Sequence, residues 1–319
     1  MFLKRQKTCM LIEVEKRDYY NCFSFDPHPF ISDCFIELNK AKTERVIRLI
    51  NRNKIVLGLV AGIKNGVMSS PFSAPFGGFH FRNEITYISE IDNFLCLLKD
   101  YIQINGLKRL EITIPPDIYH KTFNAKTINS FIRSGFNSTL PEITNWVPLE
   151  NFDGSFLQKN SREYYRQALR NHLAFSCTDN RNDFAEIYNL ICENRKKFGR
   201  PIHMTLNDIL NTGALWPVDF FKVTNRGGAI VASAIFYRFR SDICYAVFWG
   251  DNDEGRPLRA MDFLTYNLWD YYKKMGYKSI DLGISTEDGS PNEGLLRFKE
   301  SHDAVSSLRY KFYWQAETS

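Results

Sequence analysis

Residues 250–261, GDNDEGRPLRAM, join a strand-like run to a helix-like one. A helix N-terminus offers unpaired N–H groups and the positive end of the helix dipole, so such a junction suits an anion. Pro257 fits a helix start, Gly255 permits a close backbone approach, and Arg256 and Arg259 supply charge and bidentate donors. Gly250 and Asn252 complete the loop on its strand side. Asp251, Asp253 and Glu254 would repel a phosphate if they pointed inward, and the same residues also read as a solvated hairpin-to-helix loop.

A second group lies downstream. In SIDLGIS the alternation Ile280, Leu282, Ile284 leaves Asp281, Gly283 and Ser285 on the opposite face. An acid there, beside a glycine, is either a general base for an amine nucleophile or the partner of a nearby lysine or arginine. Lys299 is either a ligand for a phosphate or carboxylate or a solvated helix lysine. Tyr245 and Tyr271 are either proton or hydrogen-bond donors or core aromatics. Arg195, Lys196, Lys197 and Arg200 crowd one helix end, where they complement its dipole; with REYYRQALR they make this half locally basic, as a nucleotide-linked ligand or tRNA requires. No G-x-S-x-G, G-x-x-x-x-G-K-[ST] or G-x-G-x-x-G is present, so hydrolase, P-loop and Rossmann chemistry lack local support.

Composition frames these groups. The 319 residues are 44% apolar and 15% aromatic, which suits a folded chain with a large core. A net charge of +5 is a mild basic bias. The seven cysteines are scattered without C-x-x-C spacing and read as buried reduced thiols; the six histidines show no ligand spacing, so no metal is expected. The first 20 residues hold no apolar stretch of signal-peptide length and no run reaches a membrane span, so a cytoplasmic, soluble protein is expected.

The chain also repeats itself. Leu98, Asp100, Tyr101, Gly106, Lys108 and Ile114 match Leu268, Asp270, Tyr271, Gly276, Lys278 and Ile284, each pair 170 residues apart. Both copies read as an amphipathic helix ending at a C′ glycine and followed by an apolar strand. Two strand-like runs joined by a polar hairpin precede each copy (55–63 and 66–76; 228–239 and 242–250), and a short helix follows it (126–136; 292–301). The second set is preceded by a strand at 173–178, a helix at 183–198 with Asp183 as N-cap, a shorter helix at 206–211 and a strand at 218–224. The class is therefore α+β, with mostly antiparallel sheets flanked by helices. Two similar domains are expected, residues 1–150 and 151–319, parted where PLENFDG interrupts the pattern.

This plan resembles two tandem GNAT N-acyltransferase folds, and paired in this way it resembles the bacterial Fem peptidyltransferases of the methicillin-resistance group. Residues 145–179, a strand entering a basic helix with Arg162, Arg166 and Arg170, resemble the family's entry segment. IDLGIS followed by NEGLLRFKESHDA resembles its closing pattern: Gly294, Leu295, Phe298 and Lys299 fit, while His302 and Asp303 replace Phe and Gly, so a different turn is expected there. The long coiled-coil insertion of some family members has no counterpart.

The resemblance implies an N-acyltransferase moving an acyl group from an acyl thioester, acetyl-CoA or another acyl-CoA, to an amine on a small molecule or cell-envelope precursor. It assigns Asp281, Tyr245 and Ser285 to catalysis and Gly250, Asn252, Gly255, Arg256 and Arg259 to the donor's pyrophosphate. Lys299 goes to substrate, and a backbone N–H of the fourth strand would polarise the carbonyl. The C-terminal half would be the donor side and a degenerate N-terminal half the acceptor side. The alternatives are aminoacyl-tRNA-dependent transfer onto a peptidoglycan precursor and a non-catalytic binding module; no DNA is implied. SSPFSAPFGGFHF (69–81) is the first half's counterpart of the 250–261 junction, but it lacks arginines and its prolines remove N–H donors. Phe76, Gly77, Gly78 and Phe79 are accordingly expected to form a wall of an inter-domain acceptor cleft.

Overall fold

A computed structural model describes residues 11–23, 26–83 and 85–316. Residues 1–10, with Cys9 and the start of the N-terminal stretch weighed for a signal peptide, lie outside them. The chain forms two compact units, Ile143–Ser307 and the remainder. The division falls at Glu142/Ile143 and not after residue 150, and the C-terminal strand Lys311–Gln315 belongs to the first unit, where it pairs with Arg109–Thr113. The pairing explains the difference: the strand holding Trp146 is already part of the second unit's sheet, well before the polar PLENFDG turn.

In the first unit, strands β1 (Leu11–Glu13), β2 (Arg45–Asn51), β3 (Leu57–Lys64) and β4 (Val67–Ser70) run antiparallel, β5 (Phe79–Phe81) pairs with β3, and β6 (Arg109–Thr113) lies parallel to β4. The C-terminal strand and β7 (Asn137–Ser138) complete this sheet. Helices α1 (Lys16–Asn21), α2 (Asp33–Asn39), α3 (Ile88–Ile104) and α4 (Asp117–Arg133) belong to the same unit. Helix α3 buries Ile91, Phe94, Leu95, Leu98 and Ile102, the stripe that its i, i+3/i+4 spacing dictates.

The run 66–76, expected as one strand, stops at Ser70. Beyond the cis Ser70–Pro71 peptide the chain folds back: the Gly77 N–H donates to the Thr113 carbonyl (2.8 Å), and His28 Nε2 lies 2.9 Å from the Gly77 carbonyl. Phe76, 1% exposed, packs among the rings of His28, Phe30 and Tyr119. Phe79 lies in the main core of this unit. A Cβ on Gly77 would sit 2.6 Å from the Pro71 nitrogen, so only glycine fits. Phe76, Gly77, Gly78 and Phe79 are thus buried residues packed within this unit beside β6.

The second unit orders its strands β16-β8-β13-β12-β11-β10-β9, where β8 is Glu142–Pro148, β9 Ala174–Thr178, β10 Val218–Thr224, β11 Ile230–Tyr237, β12 Ile243–Asp251, β13 Ser279–Ile284 and β16 Val305–Arg309. A small hairpin of β14 (Thr286–Glu287) and β15 (Ser290–Pro291) stands apart. Its helices are α5 (Lys159–Arg170), α6 (Arg181–Lys197), α7 (Leu206–Thr212), α8 (Ala260–Lys274) and α9 (Glu293–Ser301). Strand β11 is buried at every position and α8 presses Phe263, Leu264, Leu268, Trp269 and Tyr272 into the core. Such runs, flanked by helices, suit a strand covered on both faces.

The α6 cap is Asn180, whose side chain accepts from Asn182 N–H, and not Asp183. Asp183 instead binds the Thr178 hydroxyl (2.6 Å) and Lys222 (2.7 Å), tying α6 to β9 and β10. Of the described cysteines only Cys244 is buried; Cys34, Cys96 and Cys177 are exposed, against the expectation that the cysteines are interior. Among the described residues none forms a disulfide, no cluster of potential metal ligands occurs and no helix is long and apolar enough to cross a membrane.

Candidate active site

The site is created where two strands part. β12 and β13 pair in parallel over only three residues, Ile243–Tyr245 against Ser279–Asp281. A bulge beyond this pairing leaves Val247 without a partner on β11, since Ala246 and Phe248 face the adjacent residues Phe236 and Ile235. β13 has its own irregularity between Asp281 and Ile284, with Gly283 at φ +65°. Past the last paired residues, β12 continues alone against β11. There Trp249, Gly250 and Asp251 meet Asn194, Arg195, Phe198 and Arg200 of α6 and its end, residues 256–262, and Leu295, Phe298 and His302 of α9, around a cavity of about 770 Å³.

Lys299 fixes the open end of β13. Its ammonium donates to three carbonyls, Leu282 (2.9 Å), Gly283 (2.9 Å) and Ile284 (3.0 Å), and the side chain is 1% exposed. Burial lowers its pKa to about 7, against the pull of Asp281 and with further lowering from Arg195. Lys299 is therefore neither a solvated lysine nor a charge held out to substrate. Asp281 is buried and accepts the Gly283 N–H (2.8 Å). The bulge breaks the alternation expected of this strand, so Ser285 turns inward and hydrogen-bonds Asn145. Tyr245 stacks on Phe239, 6.0 Å between centroids. None of these three lines the cavity.

The junction at 250–261 also departs from expectation. The helix begins at Ala260, so Pro257 lies in the preceding turn. The loop amides are already hydrogen-bonded within the unit: Asn252 N–H to Val231, Gly255 N–H to the Asn252 side chain, Arg256 N–H to Asn252, Leu258 N–H and Ala260 N–H to Gly255, and Arg259 N–H to Arg256. These six amides offer a pyrophosphate no main-chain cradle; the Met261 and Asp262 N–H groups, in the first turn of α8 on the cavity, have no such partner among the described residues. Asn252 braces the loop and donates to the Ile230 carbonyl (3.2 Å). Gly255 makes its close approach to protein and not to ligand, because a Cβ there would sit 2.3 Å from the Val231 carbonyl oxygen.

Gly255→Ala is accordingly expected to destabilise by about 2 kcal/mol or more, since the clash is with backbone. Gly250→Ala should be milder, meeting first the Asn194 side chain at 3.0 Å. Thermal unfolding of the two variants checks this; equal melting temperatures would contradict it.

What the loop does present is guanidinium groups. Arg256 is neutralised by Asp251 (3.5 Å) and Asp253 (2.8 Å), and Lys197 also binds Asp253. Burial raises the Asp251 pKa although Arg256 opposes it, whereas the Lys197 hydrogen bond lowers that of Asp253. Arg259 differs. It occupies the left-handed region (φ +60°) immediately before α8, a strained setting for a side-chain-bearing residue, and lays its guanidinium 3.7 Å over the Tyr164 ring at the cavity wall. Arg195 projects from α6 into the cavity wall, where burial and then the neighbouring Arg200 draw its pKa below the usual arginine value. Neither Arg195 nor Arg259 has a carboxylate partner within 4.0 Å among the described residues, whereas Arg200 reaches Glu287 (3.3 Å). Two guanidiniums without carboxylates on one cavity can receive an anion through side chains.

Two further wall residues went unassigned in the sequence. His302, where the family pattern has Phe, packs on Phe298 and Phe156 at 4.2 and 4.8 Å and points Nε2 at Asp262 of α8 (3.0 Å). Asp303 has φ +67°, a left-handed conformation suited to glycine, and its side chain accepts the Leu157 N–H (3.0 Å).

Two α+β units, each with a parallel pair inserted in an otherwise antiparallel sheet, define the tandem GNAT fold. No protein-family model and no curated protein matches the sequence. The fold has solved counterparts. It is similar to the crystal structure of FemX, at 12% identity and TM-score 0.66 over 96% of this chain and 97% of that one. It is also similar to L-PGS from Bacillus licheniformis (15%, 0.56, 86% of this chain and 85% of that one) and to a tandem GNAT protein from the clavulanic acid biosynthesis pathway (7%, 0.53, 86% and 84%). At these identities the likeness establishes the fold; what the cavity binds rests on its residues.

Proposed function

We propose that the chain is a GNAT-fold acyltransferase whose C-terminal unit binds a phosphate-bearing activated acyl donor, aminoacyl-tRNA in preference to acyl-CoA. Its acceptor would be an amine on a small molecule or cell-envelope precursor. One observation carries the choice of donor: six N–H groups between Asn252 and Ala260 are bonded within the unit, while Arg195 and Arg259 stand at the cavity without carboxylates. A side-chain anion site suits the spaced phosphates of a nucleic-acid end better than it suits a pyrophosphate nested on a helix N-terminus. The exposed basic residues Lys196, Arg166 and Arg170 of the same unit add to this, although the two arginines share Glu163 at 3.6 Å.

In this reading Trp249, Phe198 and Phe298 supply apolar walls, and the arginines hold the donor so that the acyl carbon meets the amine. A main-chain N–H of β12, on the side that β13 leaves open, is assigned to the carbonyl oxygen as charge develops on it.

Transfer to hydroxylamine from aminoacylated total tRNA, and separately from acetyl-CoA, tests the reading. Hydroxamate formation from the charged tRNA alone is expected. Formation from acetyl-CoA alone would overturn the donor assignment, and formation from neither would leave a binding module.

A further inference from the structure

The cavity of the proposed transferase needs a group that removes a proton from the attacking amine, and Asp281, the acid first suggested for it, is engaged elsewhere, as is Asp251 on the cavity wall. Asp281 is buried on the Gly283 N–H, and Asp251 is held by Asn194 (3.2 Å) and Arg256. We propose that Asp262 takes this proton and that His302 is its positioning residue; the inference rests on the transferase reading above.

The arrangement is a fixed dyad at the cavity wall. Asp262 sits in the first turn of α8, where the helix dipole favours a carboxylate. Its Oδ1 lies 3.0 Å from His302 Nε2. His302 Nδ1 lies 2.7 Å from the Phe298 carbonyl and 3.1 Å from the Ser301 hydroxyl, which hold the ring edge opposite Asp262. With hydrogen on Nε2, the ring ties Oδ1 in place. Phe298, Phe156 and the Trp269 hydrogen bond to the His302 carbonyl (3.0 Å) leave the ring no freedom to turn. The other carboxylate oxygen, Oδ2, has no hydrogen-bond partner and is not enclosed among the described residues, while Asp262 itself lines the cavity. A buried carboxylate kept in one orientation, with one oxygen tied back and the other open, has the geometry of a general base.

The step balances without a further reactant. The neutral amine attacks the donor carbonyl, its C–N bond forms, and the carbonyl electron pair moves to oxygen. An amine proton passes to Asp262 Oδ2. As the intermediate collapses, the C–O bond of the ester breaks and the departing ribose oxygen takes that proton, leaving an amide, a free hydroxyl and the dyad restored. The charged groups around the dyad are Arg195 and Arg200 at α6, Asp251 of β12, and Arg256 and Arg259 of the loop.

The hydroxylamine assay with charged tRNA, run on Asp262→Asn and His302→Gln, tests the dyad. Asp262→Asn is expected to lower kcat about 100-fold or more, with KM changed less than about threefold. His302→Gln should lower kcat about 10-fold and move the acid limb of the pH profile, which a merely structural histidine would not do. Asp262→Glu should restore part of the activity. An Asp262→Asn variant that keeps its melting temperature and its kcat overturns the dyad and leaves the transferase reading standing. If Asp262→Asn does not fold, an unmoved acid limb in His302→Gln overturns it equally. A wild-type protein that transfers from no donor removes both.

Discussion

Lys299→Met is expected to destabilise the protein by about 2–4 kcal/mol, because it leaves the carbonyls of Leu282, Gly283 and Ile284 without their donor in a setting that water does not reach. Loss of a poorly solvated ammonium offsets part of this, but three orphaned acceptors outweigh it. The pH dependence gives a second signature. Folding lowers the Lys299 pKa from 10.5 to about 7, so between these values the unfolded chain holds a proton that the folded chain has released. Through this group, stability therefore rises with pH across that window and falls back as pH drops towards about 7. The advantage of wild type over Lys299→Met should be larger at about pH 9 than at about pH 6.5 in urea unfolding. A difference that is flat or shrinks as pH rises would contradict the lowered pKa of Lys299.

Arg195→Met has the opposite profile. The guanidinium has no carboxylate among the described residues and lies where burial already disfavours its charge. Removing it should leave the melting temperature unchanged or raise it. Affinity for a phosphate-bearing donor should fall about 10- to 100-fold, as for a charge-assisted hydrogen bond worth about 1.5–3 kcal/mol. Loss of binding without loss of stability marks a residue kept for a ligand. A fall in melting temperature with unchanged donor affinity would instead make Arg195 a packing residue. Isothermal binding and thermal unfolding on the same preparation decide between them.

The tandem α+β fold was legible because its signals are local and duplicated. The Leu98–Ile114 and Leu268–Ile284 copies each carry a helical stripe, a C′ glycine and an apolar strand, and the structure builds α3–β6 and α8–β13 from them. The cavity's neighbourhood was legible too, since Gly250, Arg256 and Arg259 do line it. The roles were less so. Nothing local in the sequence shows that Asn252 would saturate the Gly255 amide, or that Gly255 is glycine because of Val231 twenty-four residues earlier. Regular alternation placed Asp281 and Ser285 together on one face, and a bulge at Gly283 invalidated it. Arg195 was visible only as one of four cations at a helix end; that Lys197 and Arg200 are paired while Arg195 is not depends on side chains from other segments. His302 did carry a signal: a polar ring at a position where the resembled pattern has Phe, one turn of α9 beyond Phe298.

The central claim is that the C-terminal cavity holds its donor by Arg195 and Arg259 and not by loop amides. Equilibrium binding of uncharged tRNA and of coenzyme A to wild type and to the Arg195→Met/Arg259→Met double variant tests it most directly. Wild type should bind tRNA in a salt-dependent way that weakens by about 100-fold or more in the double variant, with a shallower salt slope, and should show no saturable binding of coenzyme A. Coenzyme A binding that survives loss of both arginines would contradict it.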